Sequence, residues 1–170
     1  MVVKIAILGA QGSGRIELTK ALVEVFADRA DGFLWVDTTT LMRAIETELA
    51  SSDPNPDHTA RRHHFHHVKN SHLILVMGLD WPWPANDGDP DGLLRRSQVD
   101  ARLRQILQAA QLNYVVVYGH GTARTECALQ AIAHHRNLPL QPTKPASPWQ
   151  WTCDNCSDGA CEHRLFTGLL

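Results

Sequence analysis

The chain alternates short apolar runs with longer segments in which apolar residues recur at helical spacing. Four runs predict strands because they are short and rich in β-branched residues, namely residues 2–8, 33–36, 73–77 and 114–118. Their apolar character is almost continuous. Such runs are typical of strands in a parallel sheet that is covered on both faces.

Between these strands the apolar residues follow the spacing of one helical face. The four stripes are Leu18, Leu22, Val25 and Phe26; Leu41, Ala44, Ile45 and Leu49; Val99, Leu103, Ile106, Leu107 and Ala110; and Cys127, Ala128, Ala131 and Ile132. A short polar helix is expected over residues 58–70, and loops over 51–57 and 78–92, where prolines and aspartates concentrate. The alternation of strands and helices predicts an α/β fold of three layers, with a parallel sheet between helices.

Length and charge narrow the class of protein. The 170 residues predict one domain over 1–136, followed by a linker with four prolines and a Cys/His tail over 137–170. A net charge of −2 gives no general attraction to nucleic acid or to an anionic membrane. No apolar run approaches the roughly 20 residues of a membrane span. We therefore expect a cytoplasmic protein with neither a membrane nor a nucleic-acid partner.

Three glycines follow the first predicted strand, in the segment Gly9-Ala10-Gln11-Gly12-Ser13-Gly14-Arg15-Ile16. The frame is that of the Walker A loop, G-x-x-x-x-G-K-[ST], whose backbone N–H groups hold phosphate oxygens at the start of a helix. Arg15 replaces the lysine and keeps its charge, whereas Ile16 replaces the hydroxyl that ligates Mg²⁺. The pattern predicts nucleotide binding by Gly9, Gln11, Gly12, Ser13, Gly14 and Arg15. A tight strand-to-helix turn, kept for its backbone geometry alone, is the alternative.

Two further sets of side chains could act on a phosphate. Asp37 follows the second predicted strand, at the sheet edge where ligands of open α/β sheets bind, so it is a candidate to hold Mg²⁺ or its waters. The alternative is that Asp37 caps the next helix. Arg95 and Arg96 are candidates to contact a transferring phosphate, because arginine is a general anion fork. Their alternative is a solvated helix start.

Several blocks together resemble the nicotinamide riboside kinase (NadR-like) group of P-loop ATPases. The third strand and its loop resemble that family's strand followed by D-x-P-W-x-x-D-G, here Asp80-Trp81-Pro82-Trp83 and then Asp87-Gly88. Residues 36–41 resemble its D-T-D-x-x-T block, with Asp37 as the first acid and Thr39 in place of the second. The family's βα stretch before this block is reduced to residues 28–32. The resemblance implies an ATP-binding, kinase-like protein with weak or altered phosphoryl transfer.

The tail carries the spacing C-x₂-C-x₄-C-x-H in Cys153, Cys156, Cys161 and His163. Three thiolates and one imidazole form a known tetrahedral zinc set, and so short a segment needs a metal to become structured. We therefore expect a structural zinc ion. A redox dithiol at Cys153 and Cys156 is the alternative.

Histidines cluster in the predicted polar helix. His63 and His67 share a helical face, while neighbours such as His63 and His64 diverge by about 100° and cannot form one site. No acidic residue lies among them, so we expect a surface helix or a contact with a protein partner. A catalytically inactive adaptor, binding a protein partner through this helix and the zinc tail, is thus the rival to a nucleotide-binding protein.

Overall fold

The computed structural model describes residues 2–27, 32–51, 59–80 and 90–136. The strands are β1 (Val3–Leu8), β2 (Phe33–Val36), β3 (Leu73–Met77) and β4 (Val115–Val117). The helices are α1 (Arg15–Phe26), α2 (Thr39–Ala50), α3 (Thr59–Lys69), α4 (Pro90–Ala109) and α5 (Gly121–His135). The chain divides into two compact units, Met1–Leu138 and Pro139–Leu170, and the described residues all belong to the first.

The four strands form one parallel sheet in the order β2-β1-β3-β4. In the register of the central strands, Ile5 lies opposite Trp35 of β2 and Leu73 of β3, and Leu75 of β3 lies opposite Val115 of β4. Helices cover both faces of this sheet, which confirms the predicted α/β fold with a parallel sheet flanked by helices. The order is that of a doubly wound sheet. The chain passes from β1 to β2 on one side of β1, and then crosses to β3 and β4 on the other side.

Two apolar layers hold the helices on the sheet, because successive strand residues point to opposite faces. On one face Ile5, Ile7, Leu75, Met77 and Val117 pack with α1 and α5 through Leu18, Leu22, Ala128 and Ile132. On the other face Ala6, Leu8, Ile74 and Val76 pack with α2, α3 and α4 through Leu41, Ile45, Val68, Val99, Leu103 and Leu107. The near-continuous apolar strands of the sequence are therefore explained by burial on both sides.

Three sequence expectations need correction. Val25 of the α1 stripe is 44% exposed, and Leu49 at the end of the α2 stripe is 38% exposed. Helix α4 begins at Pro90, inside the loop expected over 78–92. Proline suits the first position of a helix because its missing N–H would have no partner within the helix there, so the expected loop ended too late.

No helix among residues 2–27, 32–51, 59–80 and 90–136 has the length and apolar character needed to span a membrane.

A carboxylate on α2 connects three helices. Glu48 accepts hydrogen bonds from Arg61 Nε of α3 at 2.8 Å and from Arg102 Nη2 of α4 at 2.5 Å. Burial by itself would raise the pKa of Glu48, but the bonds from Arg102 and Arg61 outweigh burial and hold that pKa below its ordinary value. The ionised carboxylate therefore stabilises the helical layer on this face.

Replacing Glu48 with Gln should lower the free energy of unfolding at neutral pH by about 1–3 kcal/mol, the usual effect of losing hydrogen bonds to charged groups. Because the folded pKa is lowered, this contribution is present above the ordinary glutamate pKa of about 4.3 and is lost as pH falls through the folded value. Urea unfolding across this pH range measures the difference. Glu126→Gln, an exposed change on α5, is the control; equal effects of the two variants at neutral pH would contradict the assignment.

Candidate functional site

The loops that follow the four strands meet at one edge of the sheet, because parallel strands all end there. Helix α1 leaves β1 toward one face, whereas α4 follows β3 on the other face. Between neighbouring strands whose helices diverge, a crevice opens where ligands of such sheets bind. In this sheet that point falls between β1, followed by the glycine loop (residues 9–14), and β3, followed by residues 78–80.

The backbone of the glycine loop explains each of its glycines. Gly12 and Gly14 have φ values of 69° and 77°, in the left-handed region that favours glycine. Gly9 needs the absence of a side chain for another reason. A Cβ atom there would lie 2.6 Å from Ser13 Oγ and 2.7 Å from the side chain of Met77. The three glycines are thus required by this loop conformation, whatever the loop binds.

Hydrogen-bond donors remain available in the glycine loop. Its internal bond runs from Ser13 N to the carbonyl of Ala10, at 3.1 Å. Within the described residues, the N–H groups of Gln11, Gly12, Gly14 and Arg15 donate to no protein acceptor. They lie at the N-terminus of α1, where the helix dipole is positive. Unbonded amides at such a terminus are suited to binding an anion.

Arg124 of α5 connects three of the loops at the sheet edge. It is 1% exposed and donates from Nη1 to the carbonyl of Ser13, from Nε to the carbonyl of Gly119 at 2.6 Å, and from Nη2 to Asp80 Oδ1 at 2.6 Å. Asp80 Oδ2 also accepts from Gly119 N at 2.6 Å. The guanidinium thus joins the loops after β1, β3 and β4. Burial lowers the pKa of Arg124, and the charge of Asp80 acts in the opposite direction.

This network decides the role of Asp80. Both of its carboxylate oxygens already accept hydrogen bonds, one from Arg124 and one from the backbone of Gly119. In the sequence this residue belongs to the D-x-P-W block that carries the family resemblance. The rest of that block, with Trp81, Trp83, Asp87 and Gly88, lies outside the described residues. In this arrangement the role of Asp80 is to position the loops that follow β3 and β4.

Arg15 lies on the other side of the glycine loop, against the end of β2. Its Nη1 donates to Thr38 Oγ1 at 2.9 Å, and that hydroxyl donates in turn to the carbonyl of Ile7 at 2.6 Å. Burial lowers the pKa of Arg15, while the charges of Asp37 and Glu46 favour its cationic form. An arginine remains charged under such a shift, so a fixed positive charge lies next to the loop amides.

Asp37 is exposed, between β2 and α2. Its Oδ1 accepts from the backbone N–H of Thr39 at 2.9 Å, the first residue of α2. The N-cap position of α2 is held by Thr38, so Asp37 lies one residue before the position that the helix-capping alternative gave it. This bond, followed by the Thr39 side chain, lowers the pKa of Asp37. An ionised carboxylate therefore lies near Arg15 at the sheet edge.

The remaining candidates for phosphate contacts differ in exposure. Ile16 is 57% exposed, and Arg95 is also exposed. Arg96 is 5% exposed, which the solvated-helix alternative did not anticipate. Burial lowers the pKa of Arg96, as does the charge of Arg124. Of these two candidate arginines, Arg95 is the one whose side chain is open to solvent.

The histidines of α3 lie closer together than their backbone positions indicate. The ring centroids of His63 and His64 are 5.1 Å apart, whereas those of His63 and His67 are 6.4 Å apart. The expectation that adjacent rings diverge is therefore wrong for His63 and His64, since side-chain torsions bring the rings together. Within the described residues, no group of three or more metal-ligating side chains is present.

The predicted zinc ligands lie outside the described residues: Cys153, Cys156, Cys161 and His163.

No protein-family model, curated protein or solved structure matches this chain.

Sequence reasoning missed Arg124 and Thr38. Arg124 is 44 residues from Asp80 and 111 from Ser13, and an arginine near the start of a helix ordinarily indicates solvent. One signal was available, since Gly119 and Gly121 follow a predicted strand as the glycine loop follows β1. A helix that begins after such a turn places its first residues at the sheet edge.

Replacing Arg124 with Met should lower the free energy of unfolding by about 3 kcal/mol, because a buried carbonyl and a carboxylate lose their shared partner. Urea unfolding measures this loss, with Arg62→Met on the exposed face of α3 as control. Adding Asp80→Asn to Arg124→Met should cost less than the sum of the single changes, since the residues share one interaction. Strict additivity would show that they are not coupled.

Proposed function

We propose that the chain binds a nucleotide through its phosphates at the glycine loop and the N-terminus of α1. In this proposal it is a P-loop ATPase-like or kinase-like protein with weak or altered phosphoryl transfer. The observation that carries the proposal is the set of loop amides that donate to no described acceptor, those of Gln11, Gly12, Gly14 and Arg15. Arg124 holds the carbonyl of Ser13, so the loop is already ordered before a ligand binds. Binding then carries no entropic cost of ordering the loop.

Arg15 supplies the cation that a bound polyphosphate needs. Its guanidinium bonds to the neutral hydroxyl of Thr38. Moving to a phosphate oxygen would exchange that bond for one in which both partners are charged, and such pairs are among the strong hydrogen bonds of proteins. Arginine binds a phosphate through a planar fork and does not reproduce the point charge of lysine, so binding is retained better than transfer.

The residues near the loop fit Mg²⁺ only in part. Magnesium usually takes one or two protein carboxylates together with water and substrate phosphates, and Asp37 is an exposed, ionised carboxylate at the sheet edge. The exposed side chain of Ile16 has no ligand atom to offer. Because metal positioning supplies much of the chemistry of phosphoryl transfer, we expect nucleotide binding with slow turnover.

A cleft beside the loop has room for part of the nucleoside. It measures about 340 Å³ and lies between the N-terminal turns of α1 and α5, lined by Gly14, Glu17, Leu18, Ala21, Gly121, Thr122, Arg124 and Thr125. Small pockets with a few polar groups at the ends of strands are the usual sites of such ligands.

Thermal unfolding with ATP tests the proposal. Wild type should show saturable stabilisation, worth about 2.7 kcal/mol at an ATP concentration one hundred times Kd. Arg15→Ala should weaken ATP binding about tenfold, because a charge-assisted contact is lost. Arg43→Ala, a change of an exposed arginine on α2, should leave binding unchanged.

Absence of any shift with ATP, GTP or pyrophosphate, with and without Mg²⁺, would instead support the adaptor.

A further variant tests phosphoryl transfer. Arg15→Lys combined with Ile16→Thr restores the missing lysine and hydroxyl, so magnesium should increase both its ATP affinity and its phosphate release relative to wild type.

We also propose that Cys153, Cys156, Cys161 and His163 bind a structural zinc ion, which rests on their spacing alone. Purified protein should contain close to one zinc per chain by elemental analysis. The Cys161→Ser variant should lose it, because a structural site needs all four ligands. Cys127→Ser, at the partly buried cysteine of α5, is the matched control, and protein isolated under reducing conditions without zinc would contradict the site.

A further inference from the structure

A second cavity lies next to the glycine loop, along α1. This α1–β2 groove has a volume of about 670 Å³ and runs between α1 and the edge strand β2. Its described lining includes Ile16, Lys20, Val23 and Glu24 of α1 and Trp35 of β2. The volume is that of a typical small-molecule site.

The two ends of the groove differ in chemistry. Its floor is formed by Ile5 and Ile7 of β1, and Val23 and Trp35 contribute apolar surface from the α1 and β2 walls. At the end next to the loop, Arg15 and Asp37 place opposite charges beside the Thr38 hydroxyl. Lys20 and Glu24 add charged groups along the α1 wall. Apolar surface beside a small number of placed polar groups fixes the orientation of a ligand.

We propose that the α1–β2 groove binds a small molecule with a flat apolar body and a hydroxyl or amine at one end. The apolar body covers Ile16 and Val23, which are 57% and 44% exposed, and the accessible part of Trp35, and the removal of this surface from water supplies the affinity. The polar group meets Asp37, which as an ionised carboxylate only accepts hydrogen bonds and therefore selects a donor. This site goes beyond the proposed nucleotide site, and occupancy of the groove does not require a nucleotide.

Two valines on the same helix provide a matched test. Val23 and Val25 are both 44% exposed, but Val23 lines the groove and Val25 does not. Val23→Trp should fill the slot, while Val25→Trp adds the same side chain to the outside of α1. Naphthylethanol, an apolar ring system with one hydroxyl, is the probe, and saturation-transfer NMR measures its binding.

Wild type and Val25→Trp should bind naphthylethanol with similar affinity, whereas Val23→Trp should bind it about tenfold or more weakly, because the cavity is occupied. The methyl ether of naphthylethanol, which cannot donate to Asp37, should bind several-fold more weakly than the alcohol. Thermal stabilisation by ATP should be the same in Val23→Trp and wild type. The naphthylethanol measurements do not use ATP, so they test the groove even if the wild type does not bind ATP.

Three results would overturn the proposal. They are absence of saturation transfer in wild type, equal weakening by Val23→Trp and Val25→Trp, and a dimer in sedimentation equilibrium that Val23→Trp alone dissociates. The last result would assign the groove to a second copy of the chain.

Discussion

The buried guanidinium of Arg124 is the contact on which the carboxyl edge of the sheet depends. It donates to the carbonyls of Ser13 and Gly119 and to Asp80, so loops that follow three strands share one side chain. Removing such a charge from water costs several kcal/mol, which is offset only when its donors are satisfied and an opposite charge lies close by. The position of the glycine loop is therefore fixed from α5, far along the chain.

Much of this fold could be predicted from the sequence, because burial on both faces leaves a strong apolar pattern. Strands β2 and β3 have the predicted bounds, and Leu18, Leu22 and Ile45 lie in the core as expected. Val25 was misassigned because apolar spacing cannot tell which edge of a helical stripe meets solvent. The order β2-β1-β3-β4 could not be predicted either, since pairing depends on contacts between distant segments.

The candidate site could be predicted only in part. The position of the glycine loop follows from its spacing and from the strand before it, because only certain backbone conformations need glycine at these places. The partners of Arg15 and Asp80 were not predictable. Whether Arg15 meets Thr38, or Asp80 meets Arg124, depends on how loops from separate strands approach each other, and no local pattern records that approach.

Arg124 hydrogen-bonds to the main-chain oxygen of Ser13, an atom that every amino acid possesses. Side chains at neighbouring positions are therefore not needed to hold the loop in its conformation. A change of side chain at the exposed position of Ile16 therefore carries little penalty for the architecture.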